Sequence, residues 1–267
     1  MEITLDGLRF DVDVSGPEDG PSVLLLHGFP QSRRAFDAVV PRLHAAGLRT
    51  IAPDQRGYSP GARPLDVASY APHHLVADAV GVLDALGIER AHVVGHDWGA
   101  AVAWLLAGKA SERVLSLTAL SVPHLSAFGW AIANDPDQQQ RSRYMGFFRT
   151  EGVAEDALLA DGAARLRAML PAEQADVYAE PLSDRAALTS ALNWYRAGGL
   201  RDGAPPCPVP TTFVWSTGDS AIGRAGVDRC GEHVTGEYRF VELEGVSHWI
   251  PEQAPDVVAD AVLARAA

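Results

Sequence analysis

The chain has 267 residues, 47% of them hydrophobic and 21% charged, with a formal net charge of -12; this length suits one domain with an insertion, and the acidic balance argues against nucleic acid or an anionic membrane surface as partner. The two cysteines, Cys207 and Cys230, make neither a disulfide framework nor a metal-ligand spacing, no apolar run could span a bilayer, and the N-terminus carries no signal-like stretch. A soluble cytoplasmic protein without metal or cofactor is therefore expected, of a size open to any oligomeric state. Residues 3–14 alternate apolar and polar around Asp6-Gly7, as in a small antiparallel hairpin. Val23-Leu24-Leu25-Leu26 fits a strand buried on both faces and runs into His27-Gly28-Phe29-Pro30. A helix is expected over 33–46, with Phe36, Val39, Val40 and Leu43 on one face. A strand over 50–52 leads into a polar loop, 53–60, in which Asp54 and Arg56 are read as loop-fixing hydrogen-bonders. A helix over 74–86 ends at Gly87, followed by a strand over 91–94, a helix over 98–110 and a strand over 114–120. This alternation predicts a mostly parallel, doubly wound sheet with helices on both faces.

The pattern breaks at Pro123. Residues 124–206 contain no convincing strand, only helical patches over 153–170 and 185–197, and Pro205-Pro206 and Pro208 mark the far boundary. Residues 124–206 are read as an inserted helical cap, and 1–123 with 207–267 as the α/β core. The sheet resumes at 211–215 and 238–241, and a last helix covers 255–265.

The most informative stretch is Gly95-His96-Asp97-Trp98-Gly99, between a strand and a helix. Small residues two positions either side of one functional side chain mark a nucleophile elbow, a strand-to-helix turn too tight for larger neighbours. Its apex is Asp97. A carboxylate is already ionised at neutral pH and can attack an sp³ carbon bearing a leaving group, such as an epoxide or a halide, to form an ester. Main-chain N–H groups of Phe29 and Trp98 are placed to form an oxyanion hole. The ester must then be cleaved, which needs a base for water and a group to orient it. Asp219 follows one late strand and His248 the next, giving the order nucleophile, acid, base. Glu244 is the nearest rival for the acid, and the loop 121–124 offers no carboxylate. His27 and His96 are read as loop supports.

With these stretches in hand, the sequence resembles the α/β-hydrolase-fold epoxide hydrolases. The matching stretches are HGFPQS (27–32), DQRGYS (54–59), GHDWGA (95–100), WSTGD (215–219) and GVSHWIPE (245–252). The resemblance implies two cap tyrosines that hydrogen-bond the epoxide oxygen, and Tyr144 and Tyr195 match those positions. A phenol that stays protonated at pH 7 suits that task, because the alkoxide of a broken epoxide needs a donor. Trp98, Phe29, Trp249 and Phe148 are expected to contact a small, largely apolar epoxide, with water as the second substrate.

Haloalkane dehalogenases share the Asp-His-acid set, but their halide-binding Asn after His-Gly is replaced here by Phe29, and they need no tyrosine pair. In place of the Arg that follows the nucleophile in haloacid dehalogenases stands Trp98. Arg141, Arg143 and Arg149 are read as a solvated cap face. A non-catalytic binding protein of this fold would lack a triad member, and none is missing.

Overall fold

The computed structural model describes residues 1–198 and 203–266. The apolar runs become strands β1 (Glu2–Leu5), β2 (Leu8–Ser15), β3 (Ser22–Leu26), β4 (Arg49–Pro53), β5 (Ala91–His96), β6 (Val114–Leu120), β7 (Thr211–Ser216) and β8 (Tyr238–Leu243). They form one sheet in the order β1-β2-β4-β3-β5-β6-β7-β8. β1 pairs antiparallel with β2 and β2 with β4; the remaining pairings are parallel. Asp6 and Gly7 take φ of 48° and 81°, the left-handed pair that a two-residue hairpin requires.

Parallel strands need helical crossovers, and these cover both faces. The helices outside the inserted stretch are α1 (Val40–Ala45), α2 (Pro72–Ala85) and α3 (Trp98–Lys109) before it. Between β6 and β7 run α4 (Leu125–Asn134), α5 (Pro136–Arg141), α6 (Arg143–Phe148), α7 (Val153–Arg167), α8 (Ala175–Ala179) and α9 (Arg185–Ala197), with no strand among the described residues there. After it come α10 (Arg224–Asp228), α11 (Ile250–Gln253) and α12 (Pro255–Ala266). Successive side chains of a strand point to opposite faces. Leu24 and Leu26 accordingly pack in the core cluster with α2 and α3, and Val23 and Leu25 in the one with α1 and α12. Every residue of β3 is buried, which explains its unbroken apolar run.

Two helix expectations need correction. The helix over 33–46 is a 3-10 turn at Arg33–Phe36 and a separate α1, in whose first turn Pro41 sits. Proline lacks an N–H and clashes with the preceding turn, so it starts a helix more readily than it continues one. The helix over 153–170 is kinked at 160–163, where Asp161, Gly162 and Ala163 have φ of 50°, 67° and 64°. The ends of the inserted stretch meet: the His124 ring Nε2 lies 3.1 Å from the Pro205 carbonyl oxygen, and Ser126 Oγ donates to the Ala204 carbonyl at 3.3 Å. Among the described residues no helix is long and apolar enough to cross a membrane.

Candidate active site

The central strands are aligned at their C-terminal ends: Leu26 lies beside Gly95, His96 beside Leu120, Leu120 beside Val214, and Ser216 beside Leu243. The segments that follow these strands therefore open on one edge, where open α/β sheets bind ligands.

Asp97 stands between β5 and α3 with φ 53° and ψ -119°. A non-glycine residue is costly in that region, and it persists because its surroundings leave no alternative. A Cβ on Gly95 would lie 2.3 Å from the Gly99 carbonyl oxygen, and one on Gly99 would lie 2.0 Å from that of Leu26. Gly28 also runs close to Asp97, which lets the next residue, Phe29, donate its N–H to Asp97 Oδ1 at 2.9 Å. Trp98 opens α3, where first-turn N–H groups have no acceptor inside the helix.

His248 connects the two carboxylates. Its Nδ1 lies 2.9 Å from Asp219 Oδ2 and its Nε2 lies 3.5 Å from Asp97 Oδ2. All three residues are buried. Burial alone would suppress the charge on His248, but Asp219 and then Asp97 overcome it, and the imidazole is pushed up to about 10. Burial likewise works against both carboxylates, and the His248 contacts outweigh it, so Asp97 and Asp219 sit below their ordinary range. At neutral pH these shifts favour a carboxylate–imidazolium–carboxylate chain. Glu244, the rival acid, is exposed.

Tyr144 on α6 and Tyr195 on α9 face this chain across a cavity of about 440 Å³ that Asp97 and His248 also line. Their rings are 6.3 Å apart. Burial and then the charge of Asp97 push the Tyr144 phenol up; burial, Tyr144 and Asp97 do the same to Tyr195. Both therefore stay protonated donors at neutral pH. Phe29, Phe148 and Trp249 line the same cavity. Trp98 borders a narrow space beside it, in common with Asp97, Tyr144 and Tyr195, and packs its ring 5.1 Å from Tyr195.

The two supporting histidines serve different loops. His27 Nε2 accepts from the Gln55 N–H at 3.1 Å. His96 reaches Gln31 Oε1 at 2.7 Å and the His248 carbonyl at 2.8 Å, and burial holds it down at about 4. Asp54 accepts from the Arg33 N–H at 2.8 Å, and Arg56 forms a two-point pair with Asp78 at 2.7 Å.

Sequence reasoning missed several contributors. Gln31 accepts from the Gly28 N–H at 3.1 Å and so ties the Phe29 loop to His96. Ser121 Oγ donates to the His248 carbonyl at 3.0 Å. Only Gln31 lay in a motif that could have flagged it. The arginines read as a solvated face divide: Arg143 is exposed, whereas Arg141 donates to the Asp219 carbonyl at 2.6 Å and Arg149 to the Tyr195 carbonyl at 3.0 Å. Among the described residues no group of three or more His, Cys, Asp or Glu side chains is arranged to hold a metal ion.

A sequence profile of the alpha/beta hydrolase fold matches residues 21–255. The chain belongs to that family. It is 32% identical to Epoxide hydrolase A of Mycobacterium tuberculosis, over 98% of this chain and 95% of that protein. It is equally 32% identical to the AB hydrolase superfamily protein YfhM of Bacillus subtilis, over the same shares. A solved structure of an epoxide hydrolase found in metagenomes from hot environments superposes with a TM-score of 0.88 at 29% identity, covering 100% of this chain and 98% of that one.

Proposed function

We infer that this protein is an epoxide hydrolase that converts an epoxide to a vicinal diol through an ester on Asp97. The observation that carries the reading is the pairing of an ionised apex carboxylate with two protonated phenols across one cavity. The full-length likeness to an epoxide hydrolase supports it. A carboxylate suits attack on an sp³ carbon, and phenols suit an oxygen leaving group that remains tethered to the substrate.

In the first step an Asp97 oxygen bonds to an epoxide carbon while the ring C–O bond breaks and Tyr144 and Tyr195 hydrogen-bond the emerging alkoxide. Esterification removes the negative charge of Asp97. That charge helps hold the proton on His248, so the base becomes free as the alkoxide needs a proton. One proton lost by His248 and one gained by the alkoxide balance the step. In the second step neutral His248, oriented by Asp219, takes a proton from water. The hydroxide oxygen adds to the ester carbonyl carbon. The Phe29 N–H, already on Oδ1, and the Trp98 N–H stabilise the oxyanion. Collapse breaks the bond to the alkyl oxygen, which takes the remaining proton of the added water and leaves as the diol, so Asp97 is again a carboxylate and His248 keeps the first proton. Residues 124–206 act as the cap that supplies both phenols and most of the apolar lining.

The test is intact-protein mass on a His248→Gln variant exposed to panels of epoxides and haloalkanes. Loss of the base should trap the first ester. An added mass equal to a whole epoxide supports ring opening. An added alkyl group without its halide moves the protein to haloalkane dehalogenation, and no adduct from either panel overturns covalent catalysis.

A further inference from the structure

Gln138 and Arg141 lie on α5, outside the sheet, yet they bind the loop that carries Asp219. Gln138 is completely buried. Its Nε2 donates to the Ala221 carbonyl at 2.8 Å and to Ser142 Oγ at 2.9 Å, and its Oε1 accepts from the Gly223 N–H at 2.8 Å. A main-chain acceptor at one end and a main-chain donor at the other fix which end of the amide is nitrogen. Arg141 donates from Nη1 to the Asp219 carbonyl at 2.6 Å and from Nε to Asp137 Oδ2 at 2.7 Å. α5 and the loop are in close contact, since a Cβ on Gly223 would lie 2.8 Å from Asp137 Oδ2.

The polar main-chain groups of this loop are divided between two jobs. The N–H groups of Ala221 and Ile222 donate to Asp219 Oδ1 at 2.8 and 3.0 Å, leaving Oδ2 for His248. The carbonyls of Asp219 and Ala221 and the N–H of Gly223 find their partners on α5. The first set orients the carboxylate within the loop. The second fixes where the loop stands.

We propose that Gln138 and Arg141 are positioning residues for Asp219, acting through the 219–223 loop. The proposal rests on the reaction inferred above. Asp219 orients the base that must activate water, whereas in ester formation Asp97 and the phenols act on the breaking bond and His248 only gives up a proton. Loosening the loop therefore slows ester hydrolysis more than ester formation. Any displacement of α5 would take the acid with it.

The test uses the full chain and the epoxide that labels the His248→Gln variant. In Gln138→Leu, kcat should fall about tenfold, in keeping with other supports of active-site groups. The Asp97 ester should accumulate in intact-mass spectra while its rate of formation stays within about twofold of wild type. Arg141→Met, at a residue whose side chain is 30% exposed, should show the same split more weakly, and Arg141→Lys should restore it. Unchanged kcat in both variants overturns the assignment. Equal slowing of both steps also overturns it, because that marks general loosening. If His248→Gln takes up no epoxide, the hydrolase reading fails first and this assignment with it.

Discussion

Gly99→Ala tests whether the elbow is set by steric exclusion. The added methyl would lie 2.0 Å from the Leu26 carbonyl oxygen, 2.4 Å from its carbon and 2.6 Å from the His27 oxygen. Relief requires a shift of about 1 Å, since contacts below 3.0 Å are essentially never seen at a Cβ. Leu26 has little room to retreat, because it is buried and lies in register beside Gly95 of β5. Overpacking of this kind costs about 3 kcal/mol. At about 2–4 °C per kcal/mol for a chain of this size, Tm should drop by about 6–12 °C. The same push displaces His27 and the loop that places the Phe29 N–H on Asp97. Losing one oxyanion donor costs about 10²–10³ in kcat. Gly146→Ala is the control: it lies inside α6 with nothing within 4 Å of the new Cβ, and removing a helical glycine should raise stability by about 1 kcal/mol. Scanning calorimetry and steady-state epoxide hydrolysis read both. A Gly99→Ala protein that melts within about 2 °C of wild type and keeps its activity would refute the steric account.

Two further outcomes follow from the site. Tyr144→Phe and Tyr195→Phe should each lower kcat/KM for an epoxide by about 10–100-fold, and the double variant by more; initial rates that stay at the wild-type level in either single variant remove that tyrosine from the ring-opening step. The pH dependence of stability has a definite sign. His248 is raised from 6.5 to about 10, so its contribution is complete below pH 6.5 and is lost as pH climbs through 10. Buried His96 and His124 are lowered from 6.5 to about 4, so theirs is lost as pH falls from 6.5 through 4. Asp97 and Asp219 add to the loss below 3.8. Melting across pH should show Tm highest near 6.5, and a flat profile between pH 7 and 10 contradicts the imidazolium assigned to His248.

The parts of the fold that announce themselves in the sequence are those with a strict local rule. Gly95 and Gly99 are legible because no side chain fits there, and 23–26 because a strand covered on both faces has no polar side to show. Strand order brings Asp219 and His248 together, since the central strands end on the same edge. The inserted stretch is less legible. Its helices are short and its packing is tertiary, so α4, α5, α6 and α8 left no clear period, and the kink at 160–163 depends on backbone angles that composition does not specify. Arg141 looked like a surface charge because its acceptor is a main-chain carbonyl 78 residues away. Contacts to backbone carry no complementary residue type, so nothing in the sequence pairs them.

The clasp of His124 with Pro205 and Ser126 with Ala204 has a consequence for ancestry. The chain departs from β6 and returns to β7 at nearly one point, while those strands stay joined at Leu117 and Thr211. Lengthening such an excursion adds only a logarithmic closure cost, so descendants can trade one pocket roof for another without rebuilding the sheet. The freedom is uneven along the excursion. Segments after α5 can drift toward new substrates only while they keep Tyr144 and Tyr195 over the cavity, and a replacement that spans α5 must also bring a substitute for its grip on the Asp219 loop. Under the proposed reaction, substrate range and turnover are thus inherited together in this excursion, one anchored by its phenols and the other also by α5.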